Sequence, residues 1–150
     1  MEFTPSKLNT FLLFKLPSAY FSGVRVKQIS TDKCTVSVKH RWINQNPFNS
    51  MYFAVQAMAA ELSTGALVMY HIKNSNKKVS MLVANNKGNF TKKARGMITF
   101  TCQDGHLIAD AIAKTVATGE GQTFWMKSIG VDESGDQVSE MDFEWSVRAK

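Results

Sequence analysis

The chain has 150 residues, 44% of them hydrophobic, which suits one domain with one core over residues 1–150; no linker or low-complexity tract divides it. A formal charge of +6 favours anionic partners, but it does not separate nucleic acid, membrane surface or phosphorylated carriers, and it serves solubility as well. The two cysteines, Cys34 and Cys102, form no C-x-x-C motif and no His/Cys group has zinc-site spacing, so the composition points to buried free thiols in a reducing compartment and to no metal.

In chain order, residues 5–16 predict a short helix: Pro5 suits a first turn, Leu8, Phe11, Leu12 and Leu16 recur at helical spacing, and Pro17 predicts a stop. The apolar run Phe11-Leu12-Leu13-Phe14 is broken by Lys15 and Pro17, lacks a signal-peptide layout and is far too short to span a bilayer, so a cytoplasmic protein without a membrane span is expected. Val24 to Ile29 reads as a strand and Thr31-Asp32-Lys33 as a turn. From Cys34 to Trp42 the residues alternate. Cys34, Val36, Val38, His40 and Trp42 share the face expected to be buried, and Thr35, Ser37, Lys39 and Arg41 share the other.

Residues 43–50 read as a loop ending in a helix cap, Asn49 or Ser50. A helix of about twenty residues follows, from Met51 to around Tyr70, apolar on nearly every side and rich in small residues, which calls for burial on every side. His71 to Lys78 is polar and basic. Val79 to Asn86 predicts a strand, Asn86 to Lys93 a turn-rich connection, and Ala94 to Gln103 another strand. Asp104 can cap a helix over about 104–118, striped by Leu107, Ile108, Ala111, Ile112 and Val116 and ended by Gly119. Gln122 to Val131 and Val138 to Val147 are strands joined by the turn Glu133-Ser134-Gly135-Asp136. In the second, Met141, Phe143, Trp145 and Val147 face inward. Six strands and one engulfed helix make an α+β domain.

Glu61 is the informative residue. It interrupts Ala57-Met58-Ala59-Ala60 and Leu62 in the middle of the long helix, where ionising a carboxylate is costly. Desolvation should raise its pKa and poise it as a base; alternatively, it pairs with a basic side chain at an interface. Before the helix, Asn46 and Asn49 carry amides, and the backbone N–H groups near Tyr52 and Phe53 sit at a positive dipole end able to hold a developing oxyanion; for Asn49, loop bonding is the simpler role. Of the histidines, His40 reads as a satisfied core residue, His71 suits a helix end, and His106 lies in a first turn. None stands with Ser or Cys in a triad motif, and there is no Walker loop or G-x-G-x-x-G.

The run Asn46-Pro47-Phe48-Asn49-Ser50-Met51-Tyr52-Phe53-Ala54-Val55-Gln56-Ala57-Met58-Ala59-Ala60-Glu61 is similar to the active-site segment of hotdog-fold thioesterases of the phenylacetyl-CoA type, and over residues 20–148 the chain resembles a little-characterised branch of that superfamily. The resemblance implies a six-stranded antiparallel sheet wrapped around the long helix, and a homodimer, or tetramer, with its site at the subunit interface. It implies an acyl-CoA or acyl-carrier thioester as substrate, with no cofactor beyond the coenzyme A of the substrate. Glu61 would activate water or attack directly, Asn46 would orient the water or Glu61, and the Phe53 N–H, with Tyr52, would polarise the carbonyl. Ser80 falls where a polar residue of the partner subunit often stands. Lys92, Lys93 and Arg95, or Lys73, Lys77 and Lys78, would meet phosphates, or simply be solvated. The family usually has a glycine pair where this chain has Met51-Tyr52-Phe53-Ala54, a departure that favours the alternative of a non-catalytic acyl-lipid or acyl-carrier binding protein. A hotdog dehydratase ranks low because residues 41–61 hold no histidine, and nucleic-acid binding has only net charge behind it.

Overall fold

The computed structural model describes residues 2–150. The elements are α1 (Pro5–Lys15), α2 (Pro17–Phe21), β1 (Arg25–Ile29), β2 (Cys34–Lys39), a 3-10 turn (Trp42–Asn44), α3 (Phe53–Ser75), β3 (Val79–Phe90), β4 (Met97–Cys102), α4 (His106–Thr118), β5 (Gln122–Val131) and β6 (Gln137–Ala149). All strand pairs are antiparallel, in the order β1-β2-β4-β5-β6-β3.

α3 packs against β1, β2, β4, β5 and β6, and Leu62 through Val68 are buried without a break. A helix apolar on all sides is satisfied only when enclosed, and the curved sheet encloses it. Small residues set the approach: a Cβ placed on Gly65 would meet the Trp145 ring at 3.0 Å. Three polar ties fix α3 to the sheet: Ser63 Oγ to Ser128 Oγ at 2.7 Å, Trp145 Nε1 to Thr64 Oγ1 at 2.9 Å and Ser139 Oγ to Gln56 Oε1 at 2.8 Å.

Several boundaries differ from the sequence pattern, each for a local reason. Pro17 ends α1 but opens α2, since proline fits a first helical turn. β2 stops at Lys39, so Trp42 is exposed rather than buried, and half-buried His40 leaves its Nε2 without a hydrogen-bond partner rather than satisfied. Neither Asn49 nor Ser50 caps α3. Met51 is held by a bridge to Gln45, so the helix begins at Phe53 behind an extended Tyr52 with no side-chain cap. The helix runs on to Ser75, where Asn76 turns left-handed at φ 56°. β3 continues through the expected turn to Phe90 because β6 supplies a partner along its whole length. β4 begins at Met97 rather than Ala94. Asp104 does not cap α4: its carboxylate accepts the Lys127 N–H at 2.8 Å, and Gly105 takes the cap position. Leu107 and Val116 of the expected stripe are exposed, and Thr115 joins Ile108, Ala111 and Ile112 inside.

Other features follow the sequence. Cys34 and Cys102 face each other across β2 and β4 as buried free thiols, both pushed up to about 12 by burial. Met141, Phe143, Trp145 and Val147 are core. The two sheet edges are unlike. At β1, the Asn9 amide of α1 holds the outward N–H and C=O of Val26 at 2.8 and 3.0 Å. β3, twelve residues long, pairs only with β6 and exposes most of its side chains, Leu82 and Phe90 among them.

Candidate active site at the start of the central helix

A pocket of about 790 Å³ opens where α3 begins, between the 46–52 loop and the stretch from Phe90 to Ala94. Asn46 builds its wall. The Asn46 Oδ1 accepts the N–H groups of Phe48 (2.9 Å) and Ser50 (3.2 Å), while Nδ2 donates to Ser50 Oγ at 3.1 Å and Met51 O at 3.3 Å. That amide is therefore occupied in shaping the loop. Asn49, left-handed at φ 65° and exposed, offers its carbonyl to Arg95 Nε at 3.0 Å, and Lys93 Nζ reaches Phe48 O at 3.4 Å. These two cations clamp the loop from outside. Lys92 sits between Asp132 and Asp136, 2.7 Å from each, which neutralises much of its charge.

The end of α3 supplies donors. The Tyr52 N–H, expected to be free, donates to Asn44 O at 2.9 Å, because Asn44 draws the chain back before the helix begins. The N–H groups of Phe53 and Ala54 take no acceptor among the described residues, and they stand at the positive end of the helix dipole. One helical turn on, Gln56 lines the pocket. It is only 4% exposed, and its Oε1 accepts the Ser139 hydroxyl at 2.8 Å, which fixes the amide with its Nε2 unpaired among the described residues. Gln56 is not among the residues the sequence pattern marks; its signal is an amide flanked by Val55, Ala57 and Met58.

Glu61 lies eight residues beyond Phe53, about 12 Å along the axis, and does not line this pocket. It is half-buried, its Oε1 comes close to Gly65, and its carboxylate accepts no hydrogen bond among the described residues. Burial alone raises its pKa from 4.5 to about 7. Ser80, exposed at the far end of β3 from Phe90, donates to Arg148 O at 3.2 Å. Within one chain, then, Asn46, Tyr52, Phe53, Lys92 and Lys93 gather at one pocket, Asn49 lies outside its lining with Arg95 bonded to its carbonyl, and Glu61 and Ser80 stand apart. Lys73, Lys77 and Lys78 are exposed and do not line it. Among the described residues, no three His, Cys, Asp or Glu side chains gather to hold a metal ion, and no helix is long and apolar enough to cross a membrane.

Solved structures match this architecture over nearly the whole chain, and they carry the hotdog fold. A Pseudomonas aeruginosa protein described as a probable thioesterase of unknown function superposes with a TM-score of 0.82 at 21% identity, covering 98% of this chain and 97% of that one. A thioesterase of Haemophilus influenzae gives a TM-score of 0.74 at 13% identity over 99% and 93%. A second Pseudomonas aeruginosa thioesterase, crystallised as a mutant, gives 0.74 at 12% over 100% and 97%. Among curated proteins, none matches significantly. The family model described as a domain of unknown function, DUF4442, matches residues 6–147.

Proposed function

Starting from a chain that belongs to the DUF4442 family and folds as a hotdog, we propose that it hydrolyses acyl-thioesters, such as acyl-CoA, at a site shared by two copies. The observation that carries this reading is Glu61: a carboxylate with no hydrogen-bond partner in an apolar helix, held near pKa 7, on the same helix whose start leaves two N–H groups free. Its thioesterase structural neighbours support the substrate class.

In this mechanism the thioester carbonyl oxygen lies against the N–H groups of Phe53 and Ala54, with Gln56 Nε2 as a further donor. Glu61 takes a proton from water as the water oxygen bonds to the carbonyl carbon. The oxyanion is stabilised by donors already oriented toward it. Its collapse breaks the carbon–sulfur bond, and the leaving thiolate receives the proton from Glu61. The 12 Å offset within one chain, estimated from the helical rise, is what calls for a second copy: the Glu61 that serves one pocket comes from the partner. The open β3 edge suits that pairing. Antiparallel addition of two β3 strands brings the Ser80 end of one toward the pocket-lining Phe90 end of the other.

Release of thiol from short, medium, long and aryl acyl-CoA esters, measured for the wild type and for Glu61→Gln, tests this reading. The variant keeps the shape and removes the base, so turnover should fall about a hundredfold or more while acyl-CoA still binds. Undiminished turnover in the variant would remove Glu61 from the chemistry. A second reading, acyl binding without hydrolysis, is favoured by one feature. The Phe53 ring stacks edge-on with Phe90, centroids 6.2 Å apart, and narrows the pocket mouth where the carbonyl must enter. Binding of every ester with turnover of none would select it.

A further inference from the structure

α2, the end of β2 and the 3-10 turn converge on buried Asn44. Its Oδ1 accepts the Arg41 N–H at 2.8 Å, its Nδ2 donates to Ser22 O at 2.9 Å and Lys39 O at 2.8 Å, and its carbonyl accepts the Tyr52 N–H at 2.9 Å. The Arg41 guanidinium closes the same junction: its Nη2 lies 2.6 Å from where a Cβ would stand on Gly23. The knot holds the tips of two distant segments side by side, and both tips turn large apolar side chains to solvent. Phe21 is 61% exposed, Trp42 83% and Ile43 56%, and none of the three belongs to the core. Three such residues are thus anchored at one junction, through Asn44 on Ser22 and Arg41 on Gly23, rather than scattered over the surface.

The charge of the molecule lies around the same segments. Residues 1–60 contain seven lysines and arginines against two acids, Glu2 and Asp32, whereas residues 61–150 contain eleven against ten. Lys39 and Arg41 flank the patch, and neither meets a carboxylate among the described residues. Glu133, on the turn between β5 and β6, has its carboxylate turned onto the Met97 N–H at 2.7 Å.

We propose that the Phe21–Trp42–Ile43 tip docks on an anionic lipid surface. The three apolar side chains enter the boundary between headgroups and acyl chains, where an indole is at home, and Lys39 and Arg41 meet lipid phosphates. A second copy fits the patch less well. A twofold contact would set the patch on itself and bring Lys39 and Arg41 toward their own counterparts with no acid between them. Because the knot also fixes the residue before α3, docking holds the pocket mouth near the lipid, and this attachment does not depend on whether the pocket hydrolyses its ligand.

The test is sedimentation of the full chain with vesicles of phosphatidylcholine alone or mixed with phosphatidylglycerol. It compares the wild type, Lys39→Glu and the double variant Trp42→Ala/Ile43→Ser, with the mass of each measured by light scattering. All three altered side chains are exposed, so far-UV circular dichroism should be unchanged. The wild type should sediment with anionic vesicles and not with neutral ones, and added salt should release it. The double variant should partition about tenfold less, and Lys39→Glu should weaken binding in the same direction. Absence of wild-type binding to anionic vesicles would overturn the proposal, as would equal binding by the double variant. A change of oligomeric mass in the double variant, without loss of lipid binding, would reassign the patch to contact between copies.

Discussion

Glu61 carries a pH dependence whose sign follows from its surroundings. Its folded pKa of about 7 lies above the ordinary 4.5, so between those values the native state holds a proton that the unfolded chain has released. Stability therefore declines as pH rises from 4.5 to about 7 and then levels. Glu61→Gln, which never ionises, escapes the decline, and above pH 7 it should be the more stable protein by roughly 1–3 kcal/mol in urea titrations. In the wild type the rate of hydrolysis should climb through the same pKa as the carboxylate forms. The opposing signs make Glu61 informative, because the ionised form that the mechanism needs is the form that the fold disfavours. Gln56 makes a second case. Replacing it with leucine keeps the volume, removes the free Nε2 donor and strands the Ser139 hydroxyl. If the amide helps hold the oxyanion, kcat should fall about a hundredfold with little change in KM. A rise in KM alone would give Gln56 a binding role instead.

At the scale of elements, Asn44 shows why some boundaries were legible in the sequence and others were not. Asn44→Ala removes three side-chain hydrogen bonds and takes from the backbone groups of Ser22, Lys39 and Arg41 their shared buried partner, so the urea midpoint should drop by the equivalent of about 3 kcal/mol. The partners that decide this cost come from separate segments, as distant as Ser22, a relation that no local pattern records. Alternation from Cys34 to Trp42 is genuine as spacing, yet only its first part is a strand, because Asn44 pulls the chain out of the sheet after Lys39. Likewise Asn86 to Phe90 has turn-like composition and is strand, held by register against Phe143 through Ser139 of β6. Where the signal was local and strong, it sufficed: β5 runs over the residues its pattern marks, and Gly119 ends α4 at φ 74°. The site divides in the same way. A carboxylate isolated in an apolar helix stands out in any reading of the chain. By contrast, which N–H groups stay free at the helix start depends on Asn44 O taking that of Tyr52, and the Gln56 donor depends on Ser139, a residue of β6.

For the whole molecule, the curved sheet supplies enclosure on one side and a margin on the other. α3 is engulfed over Leu62 to Val68, with Glu61 half-buried just before that run and both helix ends reaching the surface, and β3 runs its twelve residues with one flank unpaired. If two copies join there to complete the site, a charge in the middle of that flank should separate them. Leu82→Lys is expected to shift the light-scattering mass from dimer to monomer and to abolish turnover, while the isolated fold persists, because Leu82 is exposed and outside the core. A dimeric variant with full activity would move the contact elsewhere. The opposite margin behaves differently. With the Asn9 amide seated on the N–H and C=O of Val26, β1 is already occupied at that residue where an incoming strand would pair. Copies that join at β3 would be left with a β1 margin that is blocked at Val26, which favours a product that stops at two. A ribbon that lengthens one copy at a time needs two live margins per chain, and the Asn9 tie obstructs one of them, so the side chain that fastens α1 to the sheet also works against fibrous growth.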